Sequence, residues 1–221
     1  MSLPASEIRR VSRRTVEALE RLDYECCLFG SAACHLWGMA HRVPNDIDIV
    51  VLTDDDPEEI KAKLEELDDS RFRLIPAQDP RKHYKVLWYV TCWEPRIECK
   101  VDIVTPNTRR LNIPDVPRDL IPWMSDIPVM PFLPLLLLKV LGWHGRHTSN
   151  KLHLQKKIPR DEADIINLLD LLDAGDKLYN NRWLRTTKLR LMRSARVHIG
   201  SFAKKFPSTK RKWKYIGFRF N

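Results

Sequence analysis

Seven prolines (Pro106, Pro114, Pro117, Pro122, Pro128, Pro131 and Pro134) crowd into 29 residues of a 221-residue chain. Proline fixes φ and has no N–H to donate, so neither a long helix nor an inner strand can run through most of that stretch. The chain therefore falls into a part before the prolines and a part after them, and the two differ in kind. We expect a first region over residues 1–108, a proline-rich crossover over 109–134, and a helical region with a basic, aromatic tail over 135–221.

The first region alternates short strand signals with helical ones, which is the mark of an α/β body. Ile8, Val11, Thr15, Leu19 and Leu22 form one helical stripe with arginines opposite. The compact run 26–29 ends at Gly30-Ser31, and residues 32–38 read as a short helix. Residues 47–52 are β-branched and read as a buried strand. Acidic residues after Asp56-Pro57 favour a helix start there, running to about Leu67. Strands are expected over 71–75, 84–92 and 97–105. Beyond the prolines, helices are expected over 135–143 and 160–172, the second ended by Gly175.

Several classes are excluded early. A composition 43% hydrophobic and 30% charged is that of a soluble globular chain. Met1-Ser2-Leu3-Pro4 leads to Arg9-Arg10 and Arg13-Arg14 with no apolar block, so no secretory signal is expected. The most apolar stretch, 132–143, is too short to cross a bilayer and contains Pro134 and Lys139. The expectation is a cytoplasmic protein with no membrane partner. Cys26, Cys27, Cys34, Cys92 and Cys99 form an odd set with no Cys-x-x-Cys pair, so they read as reduced core thiols. His144, His147 and His153 lack a second ligand pair, so no structural zinc is expected.

The net charge of +9 is unevenly spread. Residues 176–221 hold 14 Lys or Arg against one acidic residue, Asp176, for +13; residues 1–175 hold 24 basic and 28 acidic residues, for −4.

Asp46-Ile47-Asp48 opens a strand, and residues two apart on a strand point to one side, so both carboxylates project together. Such a pair repels unless a cation lies between, and Mg²⁺ accepts one or two carboxylates plus phosphate oxygens. Taken alone, the pair reads more readily as a solvated strand edge. In the strand near 97–105, Ile97, Cys99, Val101 and Ile103 lie on one face and Glu98, Lys100 and Asp102 on the other. If that strand lies beside Asp46 and Asp48, three carboxylates converge, with Glu98 competing with Asp102 for the third place. Three carboxylates around two metal ions suit in-line phosphoryl displacement. Gly30-Ser31 at a strand-to-helix turn offers backbone N–H groups to phosphate.

The order Leu28-Phe29-Gly30-Ser31, then Pro44-Asn45-Asp46-Ile47-Asp48-Ile49-Val50, then Lys100-Val101-Asp102-Ile103-Val104, resembles the nucleotidyltransferases of the DNA polymerase β-like superfamily. The interval between Ser31 and Asp46, fourteen residues, is slightly long for that family. Lys156-Lys157-Ile158-Pro159-Arg160-Asp161-Glu162-Ala163-Asp164 is also similar to the Lys/Arg-Asp-x-x-Asp helix of its small, toxin-like and antibiotic-modifying members. The resemblance implies a mixed twisted sheet flanked by helices, and Mg²⁺-dependent transfer of a nucleoside monophosphate from ATP or another nucleoside triphosphate. Asp46 and Asp48 would hold two Mg²⁺ (or Mn²⁺) ions and the triphosphate. Asp102 would complete the second metal position and help deprotonate an acceptor hydroxyl. Gly30 and Ser31 would grip phosphates, and Lys139, Lys156, Lys157 and Arg160 are candidates to counter triphosphate charge. Asp161 and Asp164 would touch the acceptor or cap their helix, capping being the expected role, and His35 is expected to be a packed histidine.

The tail interleaves Lys204, Lys205, Lys210, Arg211, Lys212, Lys214 and Arg219 with Phe202, Phe206, Trp213, Tyr215, Phe218 and Phe220. Cations neutralise phosphates and rings stack on unpaired bases, so RNA is a candidate acceptor. The other reading has the rings packed on the body, with a protein or small-molecule acceptor. Residues 204–214 also match the composition of a nuclear address. A non-catalytic nucleic-acid-binding module on the same fold, and an interaction protein with a solvated acidic pair, are the alternatives. Oligomeric state is not legible.

Overall fold

The structure, a computed structural model, describes residues 3–79, 83–106, 112–187 and 189–220. The boundary expected between residues 108 and 109 lies outside the described residues. The chain divides into two compact units: one within Met1–Leu36, Arg42–Thr108 and Asp115–Met130, the other within Trp37–His41, Arg109–Pro114 and Pro131–Asn221.

The first unit holds helix α1 (Ala5–Arg21), strand β1 (Cys26–Phe29), helix α2 (Gly30–Leu36), strand β2 (Asp46–Val51), helix α3 (Pro57–Leu67) and strands β3 (Phe72–Pro76), β4 (Lys85–Trp93) and β5 (Arg96–Val104). Its sheet runs β1-β2-β5-β4-β3, parallel only between β2 and β5. This is the expected mixed sheet with helices. α1 buries Ile8, Val11, Val16 and Leu19, and its buried Ser12 and Thr15 hydroxyls donate to the carbonyls of Ile8 (2.8 Å) and Val11 (2.9 Å). Those bonds satisfy polar groups that burial would otherwise penalise. α3 starts as its sequence requires: the Asp56 side chain accepts from the Glu58 N–H, and Pro57 takes the first turn.

The proline-rich segment is not only a crossover. Val129 bridges to Leu28 in parallel, with Leu28 N–H donating to Pro128 (2.7 Å) and Met130 N–H to Leu28 (2.9 Å). Prolines on either side of Val129 prevent a longer strand, so it adds a single rung beside β1. The cysteines are free and mostly buried, and burial pushes the Cys27 and Cys99 thiols up to about 12.

The second unit is helical: α4 (Phe132–His147), α5 (Leu152–Gln155), α6 (Ile158–Asp170), α7 (Arg182–Thr187), α8 (Leu189–Lys205) and α9 (Lys210–Ile216). α4 begins before residue 135 and carries Pro134 in its first turn, where N–H groups have no partner within the helix anyway. It buries Phe132, Leu135, Leu136, Leu137, Val140 and Trp143. Among the described residues, no helix is long and apolar enough to cross a membrane.

One expectation here is corrected. Gly175 does not end α6; the helix closes at Asp170 with the Leu171 N–H on Leu168, and Gly175 sits in a separate turn, donating to Asp173 Oδ1 (2.6 Å). The basic, aromatic run of the tail is largely helical, and Gly217 at φ 116° terminates α9 in the left-handed conformation glycine accepts most readily.

Candidate active site

The site in the first unit follows from strand period and sheet order. Ile47 and Ile49 are fully buried on one face of β2, and Val101 and Ile103 on the same face of β5. Asp46, Asp48, Lys100 and Asp102 are thereby turned to the other face, half-exposed. In the parallel β2–β5 register Asp48 faces Asp102 and Asp46 faces Lys100. Glu98, the competitor for the third carboxylate, pairs instead with Val90 of β4 and binds the Arg96 guanidinium.

Asp48 is also where β1 arrives. Phe29 is its register partner, and Gly30 follows at φ 65°. A β carbon on Gly30 would stand 2.0 Å from Asp48 Oδ2 and 2.7 Å from its Cγ, so only glycine lets this turn close onto the carboxylate. Ser31 comes next, and its Oγ accepts a hydrogen bond from Arg42 Nη2 at 2.7 Å. His35 is half-buried in α2.

The Lys100 ammonium lies against Asp102 Oδ2. Partial burial works to lower its pKa, but the bond to Asp102 and the charges of Asp102, Asp46 and Asp48 outweigh it and hold Lys100 above the usual lysine value. The carboxylate row thus already draws a cation. Its donors are the hard oxygens that a divalent ion prefers, so the residues fit such an ion chemically. Among the described residues no three His, Cys, Asp or Glu side chains stand closed up around a metal position.

The remaining candidates lie in the second unit. Lys139, 11% exposed on α4, is ion-paired at 2.8 Å with Asp164 Oδ2, and His41 Nε2 lies 3.0 Å from the same carboxylate's Oδ1. Asp161 pairs with Arg146 at 2.7 Å; burial pushes its carboxyl above the usual range, against the pull of Arg146 and Lys139. Asp161 and Asp164 are therefore not caps. α6 has no side-chain cap, and the two carboxylates, 5% and 0% exposed, point into the unit as centres of ion pairs. Lys157 stands at the helix start, exposed, as are Lys156 and Arg160.

Sequence reasoning passes over Arg42, Arg146 and His41. Arg146 and His41 carry no local signal, because their partners lie 15 and 123 residues away. For Arg42 the available signal is a cation lying inside the interval between the Gly-Ser turn and the acidic pair.

In the tail, Phe202, Trp213 and Phe218 are buried, with Trp213 packed edge-on to each of the other two, while Lys204, Lys205, Lys210, Arg211, Lys214 and Arg219 are exposed. Those three rings face inward and are not presented to bases, whereas Tyr215 is exposed.

The antigenic nucleotidyltransferase-like protein of Paracoccidioides brasiliensis has a similar structure: TM-score 0.68 at 14% identity, over 97% of this chain and 95% of that one. The complex of ANT(2'')-Ia with adenylyl-2''-tobramycin matches more distantly, with TM-score 0.47 at 11% identity, over 91% of this chain and 99% of that one. No curated protein matches the chain in sequence. Residues 28–212, which include Gly30, Ser31, the three carboxylates and the ion pairs of α6, match the family described as nucleotidyl transferase AbiEii toxin, Type IV TA system, and the chain belongs to that family.

Proposed function

We propose that the protein transfers a nucleoside monophosphate from a nucleoside triphosphate to an acceptor hydroxyl, with the row Asp46, Asp48 and Asp102 as its reacting centre. The observation that carries this reading is the β2–β5 register, which sets Asp48 opposite Asp102 with Gly30 pressed on Asp48. Asp46 and Asp48 would hold Mg²⁺ and Asp102 a second ion; bound there, Mg²⁺ supplies charge neutralisation to the attacking and leaving oxygens. Asp102 accepts the proton of the acceptor hydroxyl. That oxygen attacks the α-phosphorus, the bond to the bridging oxygen of the β-phosphate breaks, and pyrophosphate leaves. Gly30 and Ser31 orient the phosphates beside Asp48. Lys139 and Lys157 are proposed to counter triphosphate charge.

RNA is the acceptor class that the exposed cations of the tail favour, through phosphate contacts and not through ring stacking. The inward packing of Phe202, Trp213 and Phe218 favours, as the second reading, a protein or small-molecule hydroxyl.

A screen of α-labelled triphosphates with Mg²⁺ against total RNA, total protein and a small-molecule extract tests both. Label in RNA supports the first reading and label in another fraction the second. Label in none, with no pyrophosphate released, contradicts transfer.

A further inference from the structure

We infer that Arg42 is a phosphate-gripping residue of this site, holding the triphosphate tail together with the Ser31 hydroxyl. The inference rests on the nucleotidyl-transfer reading above. Arg42 is half-buried and lies between Gly38, at φ 108°, and the buried Pro44, so the chain turns back toward α2. Its Nη2 reaches Ser31 Oγ at 2.7 Å across eleven residues of sequence. Ser31 follows Gly30, and Gly30 lies against Asp48. Guanidinium, hydroxyl and carboxylate row therefore form one continuous line on one unit: Arg42, Ser31, Gly30, Asp48, Asp102.

A triphosphate brings several negative charges to a place that already holds three carboxylates. Metal ions held by the carboxylates would serve the reacting end, so the distal phosphates need a cation beyond Ser31, where Arg42 bonds the Ser31 hydroxyl. Its planar fork of donors matches two phosphate oxygens at once, which an ammonium does not. The part of the ligand recognised is the β,γ-diphosphate, so the residue should separate triphosphates from monophosphates of the same nucleoside.

The test measures Kd by calorimetry for ATP, GTP, CTP and UTP and for each matching monophosphate, in Mg²⁺, on full-length wild type, Arg42→Lys, Arg42→Gln and Ser31→Ala. Wild type should bind at least one triphosphate more tightly than its monophosphate. Arg42→Gln should weaken that triphosphate about 10- to 100-fold, with the monophosphate within about threefold, and Arg42→Lys should fall between. The ratio of the two Kd values, measured on one preparation, is insensitive to a misfolded fraction. Arg42→Lys keeps the charge and supplies the same ratio if Arg42→Gln fails to fold. A wild-type preference that survives in both Arg42 variants overturns the role of Arg42 and leaves the proposed function standing. A wild type that binds no triphosphate contradicts the proposed function, and this inference with it.

Discussion

Gly30 and Asp48 meet so closely that a β carbon on the glycine would stand 2.0 Å from the carboxylate oxygen. The Gly-Ser turn and the acidic strand, which are separate motifs in the chain, are thus one piece of surface. Gly30→Ala should therefore harm the site more than the fold. The left-handed backbone costs an alanine about 1–2 kcal/mol, and Asp48 must move aside. Thermal melts should show a modest loss, while triphosphate binding in Mg²⁺ falls below detection. An alanine variant that binds like wild type would show that the close approach is not needed.

Asp102 and Glu98 share a strand face, yet only Asp102 stands opposite Asp48. Asp102→Ala should abolish transfer while binding the Mg²⁺–triphosphate within about tenfold of wild type, roughly 1.4 kcal/mol. Glu98→Ala should keep its activity, because the carboxylate serves Arg96. The opposite pattern would mean the working register differs from this one.

That Asp46 and Asp48 share a face, and that Asp102 lies opposite the buried side of its own strand, is legible from period-two alternation, because Ile47, Val101 and Ile103 mark the buried sides. The pairing of Asp48 with Asp102 is not, since register between parallel strands is set by the long connection through α3, β3 and β4. The fold class is readable from strand and helix periods and from the motif order. Asp161 and Asp164 read as helix caps because an acid near a helix start has the same local pattern whether it caps or is buried. Only Arg146, Lys139 and His41, distant in sequence, decide between the two. The tail is ambiguous for a related reason: a lysine-aromatic alternation does not say which way the rings face.

Trp213 is fully buried among Phe202 and Phe218. Trp213→Ala should cost roughly 3–5 kcal/mol, a fall of roughly 10 °C in the melting of a chain of this length. Lys210→Ala, Arg211→Ala and Lys214→Ala together should leave melting unchanged. On the RNA reading the triple variant flattens the salt dependence of RNA binding by about 0.7 for each phosphate it no longer neutralises. An unchanged slope would favour the protein or small-molecule acceptor.

His144 and His198 stack with ring centroids 3.6 Å apart, and each has a buried Nδ1 that no described group bonds. Burial pushes both pKa values below the ordinary 6.5, aided by His147 at His144 and by His144 at His198. The folded unit therefore favours the neutral rings. Its stability is fully present above about pH 6.5 and is lost as pH falls through that value toward the lowered ones. Melting at pH 5.5 should lie below melting at pH 7.5, and His198→Phe should shrink the difference. Identical pH dependence in that variant would assign the effect elsewhere.

Whether Asp48 sits at a reacting centre is decided by pyrophosphate release from wild type and Asp48→Asn, with Mg²⁺, mixed triphosphates and total RNA and protein as acceptors. Asparagine keeps the shape beside Gly30 and removes one charge and one hard oxygen ligand. Wild type should release pyrophosphate only with Mg²⁺ and Asp48→Asn should release none, with melting curves that agree to about 0.5 kcal/mol. A folded Asp48→Asn protein with wild-type turnover would contradict the proposed transfer at this carboxylate row.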